Sequence, residues 1–448
     1  MAKPELTEWD DDLAASPEEE YDALVRALQW TKGFGLLFVQ CSPADGERLI
    51  ARVRDDLTDK TVDVLRLEDE IDDLYETVKA LPDIDNTNVL FVTGLEKSLV
   101  PYIKPGYGSE GDYYAKDTVP KLLGKLNLQR EKFRETFGLC FVFLVPPYAM
   151  KYLIRRAADF FDWRSGVWEF VGSAEEVQQA AQRILQEGDY DEYLSWTPKQ
   201  RRERMLEIDD LLADDNHSAG EISRLRFEQG NICAADQQFE WAIASYDAAL
   251  AIKPDKHPAL YNKGNALRNL GRYEEAIVSY DAALAIKPDK HPALYNKGNA
   301  LRNLGRYEEA IVSYDAALAI KPDDHQALYN KGIALRKLGR HEEAIASYDA
   351  ALVIKPDKHP ALYNKGMALG NLGCYEEAVA CYDAALAIKP DDHDALNNKG
   401  IALQKLGRNE EAIISLLKAL ELRPKLTWRE RLQRFIFRIV SIIKPANQ

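Results

Sequence analysis

Cysteine is scarce in this chain. Cys41, Cys140, Cys233, Cys374 and Cys381 are scattered over 448 residues with no CxxC pair. That excludes a disulfide scaffold and a paired-thiolate zinc site, and it fits a reducing cytoplasm. Long apolar runs are also missing. No stretch reaches the roughly 18 residues a membrane span needs, and the longest candidate, Gly138 to Val145, stops at Pro146-Pro147. Met1 to Asp12 is acidic without an apolar core, so it does not read as a secretory signal. There is no excess of basic residues either. A formal net charge of −15 argues against non-specific nucleic-acid binding, which needs a basic face. The sequence contains no GxSxG or HExxH. What is present, 46% apolar and 29% charged residues, is the composition of a folded protein.

The charge is uneven. Residues 1–222 hold 26 basic and 45 acidic residues, residues 223–426 hold 27 of each, and residues 427–448 hold five basic and one acidic. An acidic half joined to a neutral half predicts at least two units.

A repeat of 34 residues organises the second half. His257–Lys290 and His291–Asp324 differ only at their last position. The frame continues through 325–358, 359–392 and 393–426, and extends backward over 223–256, giving six repeats. A period of 34 signals a helix–turn–helix solenoid. Leu260, Gly264 and Leu267 fall on one face of a first helix, and Gly271 breaks the pattern. Ala276, Tyr280, Ala283 and Leu284 fall on one face of a second helix, which Pro288 stops. Gly264 and Ala276 are expected where the helices approach most closely, with Tyr280 filling the space against the next repeat. Each repeat is too small to bury its apolar face alone, so stability must come from stacking.

These residues resemble the tetratricopeptide repeat family. The matching positions read Leu260, Lys263-Gly264, Leu267, Ala276, Tyr280, Ala283 and Pro288, with Lys263 in place of the usual leucine and the aromatic at Tyr261. The resemblance covers 223–426. It implies an all-α solenoid, a right-handed superhelix of helix pairs whose first helices line a concave groove.

The first half alternates strand and helix patterns. Gly35–Cys41, Thr61–Leu67, Asn88–Val92 and Gly138–Val145 read as strands. Residues 43–57, Asp69–Leu81 and Tyr114–Phe137 read as helical intervals, and Glu175–Gln186 as a further helix. Alternation of this kind predicts a parallel α/β sheet covered on both faces. The expected division is an acidic segment 1–30, an α/β domain 31–187, a charged and partly helical connector 188–222, the repeats 223–426, and a capping helix with tail at 427–448. The acidic residues Asp10 to Asp12 and Glu18 to Glu20 read as a solvated face or frayed end, or as a segment that blocks a basic groove.

Residues 35–170 resemble a P-loop NTPase domain of the AAA/STAND kind. The strand GLLFVQC leads into Cys41–Arg48 where that family carries its phosphate loop, and NVLFV leads into Thr93-Gly94-Leu95-Glu96 where it carries its acidic magnesium motif. The chemistry is degenerate. Cys41 stands at the first glycine, Glu47 at the lysine, Arg48 at the magnesium hydroxyl and Thr93 at the aspartate. A phosphate cradle needs free backbone N–H groups and a lysine. The expectation is therefore an NTPase-like fold without NTPase activity and without a cofactor.

His257, His291, His325, His359 and His393 recur at 34 residues and are expected at helix starts. Successive repeats are separated by packed helix layers of about 8–10 Å each, too far for one metal ion. Cys374 and Cys381 read as packing residues. Thr427–Ile443 has an apolar stripe (Trp428, Leu432, Phe435, Ile436, Ile439, Val440, Ile443) flanked by Arg429, Arg431, Arg434, Arg438 and Lys444. It reads as a cap on the last repeat, as a basic amphipathic helix touching anionic membrane, or as a dimer contact.

If the resemblance holds, three ladders line the groove. Asn262, Asn296, Asn330, Asn364 and Asn398 form one. Tyr261, Tyr295, Tyr329 and Tyr363 form another. Arg268, Arg302 and Arg336 form a third that ends at Gly370 and Gln404, and Asn265 and Asn299 add to the early units. Amide side chains both donate and accept, so an asparagine ladder can hold peptide main chain, and arginines favour carboxylates. The reading is a non-enzymatic scaffold that binds an extended, acidic protein segment in its repeat groove. Two alternatives stay open: a STAND-type nucleotide switch, and a membrane-peripheral assembly factor acting through residues 427–443.

Overall fold

The computed structural model describes residues 16–102, 120–170, 174–212 and 217–422. Expectations for residues 1–15 and for the helix at Thr427–Ile443 therefore lie outside the described residues. The chain divides into two units, Met1–Pro254 and Asp255–Gln448. The helix pair of residues 223–256 falls in the first unit and the later repeats in the second.

The first unit is built on a five-stranded parallel sheet. Its strands are β1 (Gly35–Gln40), β2 (Val62–Arg66), β3 (Val89–Thr93), β4 (Cys140–Val145) and β5 (Gly166–Glu169), in the spatial order β2-β3-β4-β1-β5. All neighbours run parallel, with Phe38 beside Phe143 and Phe91 beside Val142. The apolar runs of β1, β3 and β4 are buried almost throughout because helices cover both faces of the sheet. The outermost strands β2 and β5 alternate instead, carrying Asp63, Arg66 and Glu169 on their exposed sides. Sequence reading missed β5, because four residues with Gly166 and a partly exposed face carry little apolar signal.

The helices of this unit are α1 (Pro17–Trp30), α2 (Pro43–Asp56), α3 (Leu74–Lys79), α4 (Lys121–Thr136), α5 (Pro147–Arg156), α6 (Ala158–Phe161), α7 (Ala174–Glu187), α8 (Tyr190–Ser195), α9 (Pro198–Leu212), α10 (Ala219–Ala235) and α11 (Phe239–Ile252). Two of them correct the sequence reading. The acidic run Glu18 to Glu20 is the first turn of α1, not a frayed end. Ser16 and Glu19 form a reciprocal capping box, and the negative charges sit at the helix N-terminus where its dipole favours them. Tyr21, Leu24 and Leu28 are buried against the sheet face that also holds Leu37, Val39 and Val142. Glu18 pairs with Arg52 of α2, so these carboxylates are engaged within their own unit. The stretch read as a connector is equally structural. Met205, Leu206, Ile208 and Leu211 of α9 are buried, and Leu206 joins the core that holds Phe38, Phe141 and Phe143.

A half-buried acidic pair joins α9 to its neighbours. Asp210 accepts from the Tyr148 backbone N–H at 3.2 Å, satisfying a donor at the start of α5. Asp209 accepts from Gln229 of α10 at 2.6 Å, while its other oxygen is buried without a partner. Burial pushes the Asp209 carboxyl up to about 6. Burial and the neighbouring Asp209 push Asp210 up to about 8. Both values lie above the unfolded value near 3.9, so the folded state holds these protons more tightly. Their stabilising effect is full below about pH 4 and fades as pH rises through about 6 and then about 8. Melting followed by tryptophan emission, which arises from this unit for six of the seven tryptophans, is expected to drop by roughly 3–6 °C from pH 5 to pH 9. Asp210→Asn keeps an acceptor for Tyr148 and should flatten that slope. An unchanged slope in the variant would refute the assignment.

Among the described residues the second unit holds five helix pairs. They are α12 (His257–Asn269) with α13 (Tyr273–Ile286), α14 (His291–Asn303) with α15 (Tyr307–Ile320), α16 (His325–Lys337) with α17 (His341–Ile354), α18 (His359–Asn371) with α19 (Tyr375–Ile388), and α20 (His393–Lys405) with α21 (Asn409–Glu421). Each repeated histidine opens a first helix, as its place before Pro or a polar residue predicts. Gly271 ends α12 at φ +76°, a left-handed conformation that costs glycine nothing. The residue at this place in the 223–256 pair is Gln237, which adopts φ 61° without that freedom.

The close approach within each pair lies at the predicted glycine, but its filler differs. The Tyr280 ring lies over Gly264 of its own pair, where an added Cβ would stand 2.5 Å from a ring carbon. The sequence reading had placed that ring against the next repeat. The same contact recurs at Gly298 with Tyr314, at Gly332 with Tyr348, and in the first unit at Gly230 with Tyr246. Buried alanines such as Ala259, Ala276 and Ala283 let the helices approach closely around these rings.

Candidate functional site

The first unit has a cleft of about 270 Å³ at the carboxyl edge of its sheet, the edge where open α/β sheets bind ligands. Cys41, Gly46, Glu47, Arg66, Thr93 and Glu96 are among its lining residues. The phosphate-binding features that the resemblance locates here are occupied by the protein itself. Pro43 opens α2 and has no N–H to offer. The Ser42 hydroxyl accepts from the Asp45 N–H at 3.1 Å, and the Gly46 N–H donates to the Ser42 carbonyl at 2.9 Å. Asp45 pairs with Arg48. Glu47 accepts from Nε and Nη2 of Arg66 at 2.9 and 2.7 Å, and that contact holds its carboxyl below the usual range. Glu96 follows β3, where burial raises its pKa. Burial also pushes the Cys41 thiol up to about 12, so it is no thiolate at neutral pH. This helix start presents carboxylates and satisfied amides, not a cradle for polyphosphate.

The second unit places the three ladders together on its first helices, and it uses them differently from the sequence reading. Asn296 is only 9% exposed. Its Nδ2 donates to the Tyr261 hydroxyl at 3.2 Å and to Asn265 Oδ1 at 2.9 Å, both on the preceding repeat. Its Oδ1 accepts from Arg268 at 2.9 Å. Asn265 Oδ1 also accepts from the buried Tyr280 hydroxyl at 2.8 Å. One repeat later Asn330 donates to Tyr295 and Asn299, each at 3.0 Å, and accepts from Arg302 at 3.0 Å, while Tyr314 donates to Asn299 at 2.9 Å. The asparagine ladder thus stitches one repeat to the next. The amides of Asn296 and Asn330 are spent on neighbours, because each lies at the seam where two first helices meet.

The network changes at the third of the five pairs. Ile333 and Met367 stand where Asn265 and Asn299 stood. Asn364 still donates to Tyr329 at 3.2 Å, but its second bond goes to the Pro360 carbonyl. Asn398 donates to Tyr363 at 3.0 Å. Asn262 occupies the same position on the first of the five pairs. The tyrosine ladder is half-buried against these amides and against lysines, with Lys290 over Tyr261 and Lys358 over Tyr329.

The arginines differ in kind between the two helix types. Arg272, Arg306, Arg340 and Arg408, at the starts of second helices, each pair with a glutamate three residues on. Arg268, Arg302 and Arg336 of the first helices have no ion pair among the described residues. Their charge is uncompensated by carboxylate.

The histidines do not converge. His291 Nε2 faces Asp324 at 3.1 Å and His359 Nε2 faces Asp392 at 3.0 Å, each across one seam. His325 instead meets Lys358. Asp324 and Asp392 also cap their helices by accepting the N–H of Gln326 and Asp394. Repeats that carry lysine at this position follow it with His-Pro, whose proline lacks that N–H. Among the described residues no group of three potential ligands is placed for a metal ion, and no helix is long and apolar enough to cross a membrane.

A search of curated proteins returned no match. Solved structures similar to part of this chain include three of 22–25% identity. One is YrrB, described as a TPR protein with an unusual peptide-binding site (25% identity, 42% of this chain, 96% of that one, TM-score 0.38). A second is PilW, a type IV pilus biogenesis factor (25%, 48% and 98%, TM-score 0.41). A third is MamA from Desulfovibrio magneticus RS-1 (22%, 39% and 99%, TM-score 0.38). Family models described as tetratricopeptide repeat match residues 257–290, 295–359, 331–397 and 393–426. They give the P-loop NTPase resemblance of residues 35–170 no support, since every matched residue lies in the second unit. The helix pairs of that second unit are tetratricopeptide repeats.

Proposed function

We propose that the protein is a non-enzymatic interaction scaffold whose second unit binds an extended acidic segment of a partner protein along its first helices. One observation carries this reading. Among the described residues Arg268, Arg302 and Arg336 lack carboxylate partners in a chain of net charge −15, while Arg272, Arg306, Arg340 and Arg408 at the starts of second helices are paired. Arg268 and Arg302 each give one N–H to an asparagine and keep further donors for a ligand. A guanidinium held in place by an amide loses little freedom on meeting a carboxylate, which favours bidentate pairing.

The first unit then serves as a second interaction or regulatory module. A nucleotide-switch reading gains nothing from its cleft, where Asp45 and Glu47 occupy the helix start and a polyphosphate would meet carboxylates.

The test is affinity capture from lysate by wild type and by Arg268→Gln/Arg302→Gln/Arg336→Gln. Glutamine removes the charge and keeps a polar side chain, and the helical signal and melting temperature of the variant are compared with wild type. Partners retained by wild type should be depleted by roughly tenfold or more with the variant, since buried or half-buried charge pairs dominate such interfaces. Equal capture by both would move the functional surface off the first helices.

A further inference from the structure

The cleft of the first unit is walled by four strand ends. Cys41 follows β1, Leu67 follows β2, Thr93 ends β3 and Leu144 belongs to β4. Two backbone bonds draw these ends together. The Leu67 N–H donates to the Thr93 carbonyl at 3.0 Å, and the Cys41 N–H donates to the Val145 carbonyl at 3.1 Å. Gly94 then turns the chain at φ +80°, so close to the end of β2 that an added Cβ would collide with the Leu67 carbonyl oxygen. Glycine alone fits that turn. The turn brings Glu96 and Lys97 to the wall of the cleft.

The lining divides by polarity. Pro43, Leu67, Leu144 and Pro146 supply apolar surface, and the charged groups are Glu47, Arg66, Glu68, Glu96 and Lys97. Three carboxylates against two cations leave one negative charge. Glu47 and Arg66 cancel in their bidentate pair. Glu68, Glu96 and Lys97 make no ion pair among the described residues. Glu96 is half-buried. Burial raises its pKa against the pull of its own backbone N–H and of Lys97. Its charge also helps to raise the Cys41 thiol, so the carboxylate is within electrostatic reach of the β1 side of the cleft. A carboxylate drawn out of water without a counter-charge is costly, and a cation relieves that cost. A metal ion needs several such ligands at once, and among the described residues no group of three is placed for one. An anion would meet Glu68 and Glu96. An organic monocation balances the lining charge, and its carbon skeleton matches the apolar surface. A volume of about 270 Å³ suits a molecule of few atoms, at the small end of ligand cavities.

We propose that this cleft binds a small alkylammonium ion, with Glu96 accepting from the ammonium group and the alkyl chain resting on Leu67, Leu144 and Pro146. The inference stands on the first unit alone. It gives that unit a ligand of its own, and it is decided separately from the groove reading of the second unit.

The test uses the full chain and isopentylammonium, followed by saturation-transfer NMR at physiological ionic strength. Two controls share its skeleton, the neutral isopentyl alcohol and the anion isocaproate. A ligand this small is expected to bind in the millimolar range. The ammonium ion should bind roughly tenfold more tightly than the alcohol, as a charge-assisted hydrogen bond implies, and the anion should not bind. Glu96→Gln should remove the preference for ammonium over alcohol. It deletes one of 73 acidic side chains, so the general attraction of the chain for cations stays as it was. Lys97→Gln should tighten the ammonium ion roughly threefold by removing a like charge from the wall, a gain that a damaged fold cannot mimic. Equal binding of ammonium and alcohol, binding of isocaproate, no ammonium binding at millimolar concentration, or a preference intact in Glu96→Gln would overturn the proposal. So would an affinity that does not rise in Lys97→Gln.

Discussion

Tyr314→Ala is expected to destabilise the second unit by about 3–5 kcal/mol, the range for removing a fully buried aromatic side chain. The ring is 0% exposed and covers Gly298. It also shares a cluster with Ile277 of the preceding pair and with Ala300, Leu301 and Ala310 of its own. Its loss opens a cavity and removes the contact that joins two repeats, so the penalty falls on an interface as well as on a pair. The hydroxyl adds a bond to Asn299 that Tyr314→Phe isolates, at a cost of about 1 kcal/mol. Gly298→Ala approaches the same contact from the other side. Its Cβ would stand 2.6 Å from a ring carbon, so it should cost about 1–3 kcal/mol through overpacking. Urea unfolding followed by ellipticity at 222 nm measures all three. Tryptophan emission, mostly from the first unit, is the internal reference. A Tyr314→Ala loss below about 1 kcal/mol would show that the repeats relax around the gap, contrary to close packing.

Asn296→Ala with Asn330→Ala should cost about 2–4 kcal/mol in the same assay, although both residues look like ligand contacts in the sequence. Each amide makes two donor bonds to the preceding repeat and accepts one from arginine. Truncation strands those partners in a half-buried seam, and an unsatisfied buried group costs more than the bond it made. Asn262 and Asn398 are equivalent in sequence, but the buried, fully bonded amides are Asn296 and Asn330. The expected result has a practical consequence: alanine variants of the asparagine ladder weaken the fold and cannot report on binding alone. The arginine-to-glutamine variants remove charge while leaving the two donor bonds of each asparagine to the preceding repeat in place. A double variant as stable as wild type would restore the asparagines as free groove contacts.

Periodicity carried a good part of this molecule and individual residues carried less. The 34-residue period, the glycine at each close approach and the histidine at each helix start were all legible, because a repeated steric demand leaves a repeated residue. The three interior strands were legible because a sheet covered on both faces needs unbroken apolar runs. The short edge strand β5 and the acidic helix α1 were harder. Half their residues face solvent, and Ser16 with Glu19 was the one local sign that Glu18 to Glu20 begin a helix. The ladders of Asn, Tyr and Arg were legible as ladders, but their use was not. Sequence spacing says that such groups recur on one face; it cannot say whether an amide at a seam meets a ligand or its neighbour 31 or 35 residues away.

By itself the sequence determined that this protein has an α/β unit and a helical repeat array, since burial patterns and repeat length are local properties of the chain. Tertiary structure alone decided which polar groups are spent and which remain. Arg66 neutralises Glu47 at the sheet edge, Asn296 and Asn330 are consumed between repeats, and Arg268 and Arg302 have no carboxylate partner among the described residues. Hydrogen-bond satisfaction depends on what the fold brings within about 3 Å, and no spacing along the chain encodes that distance.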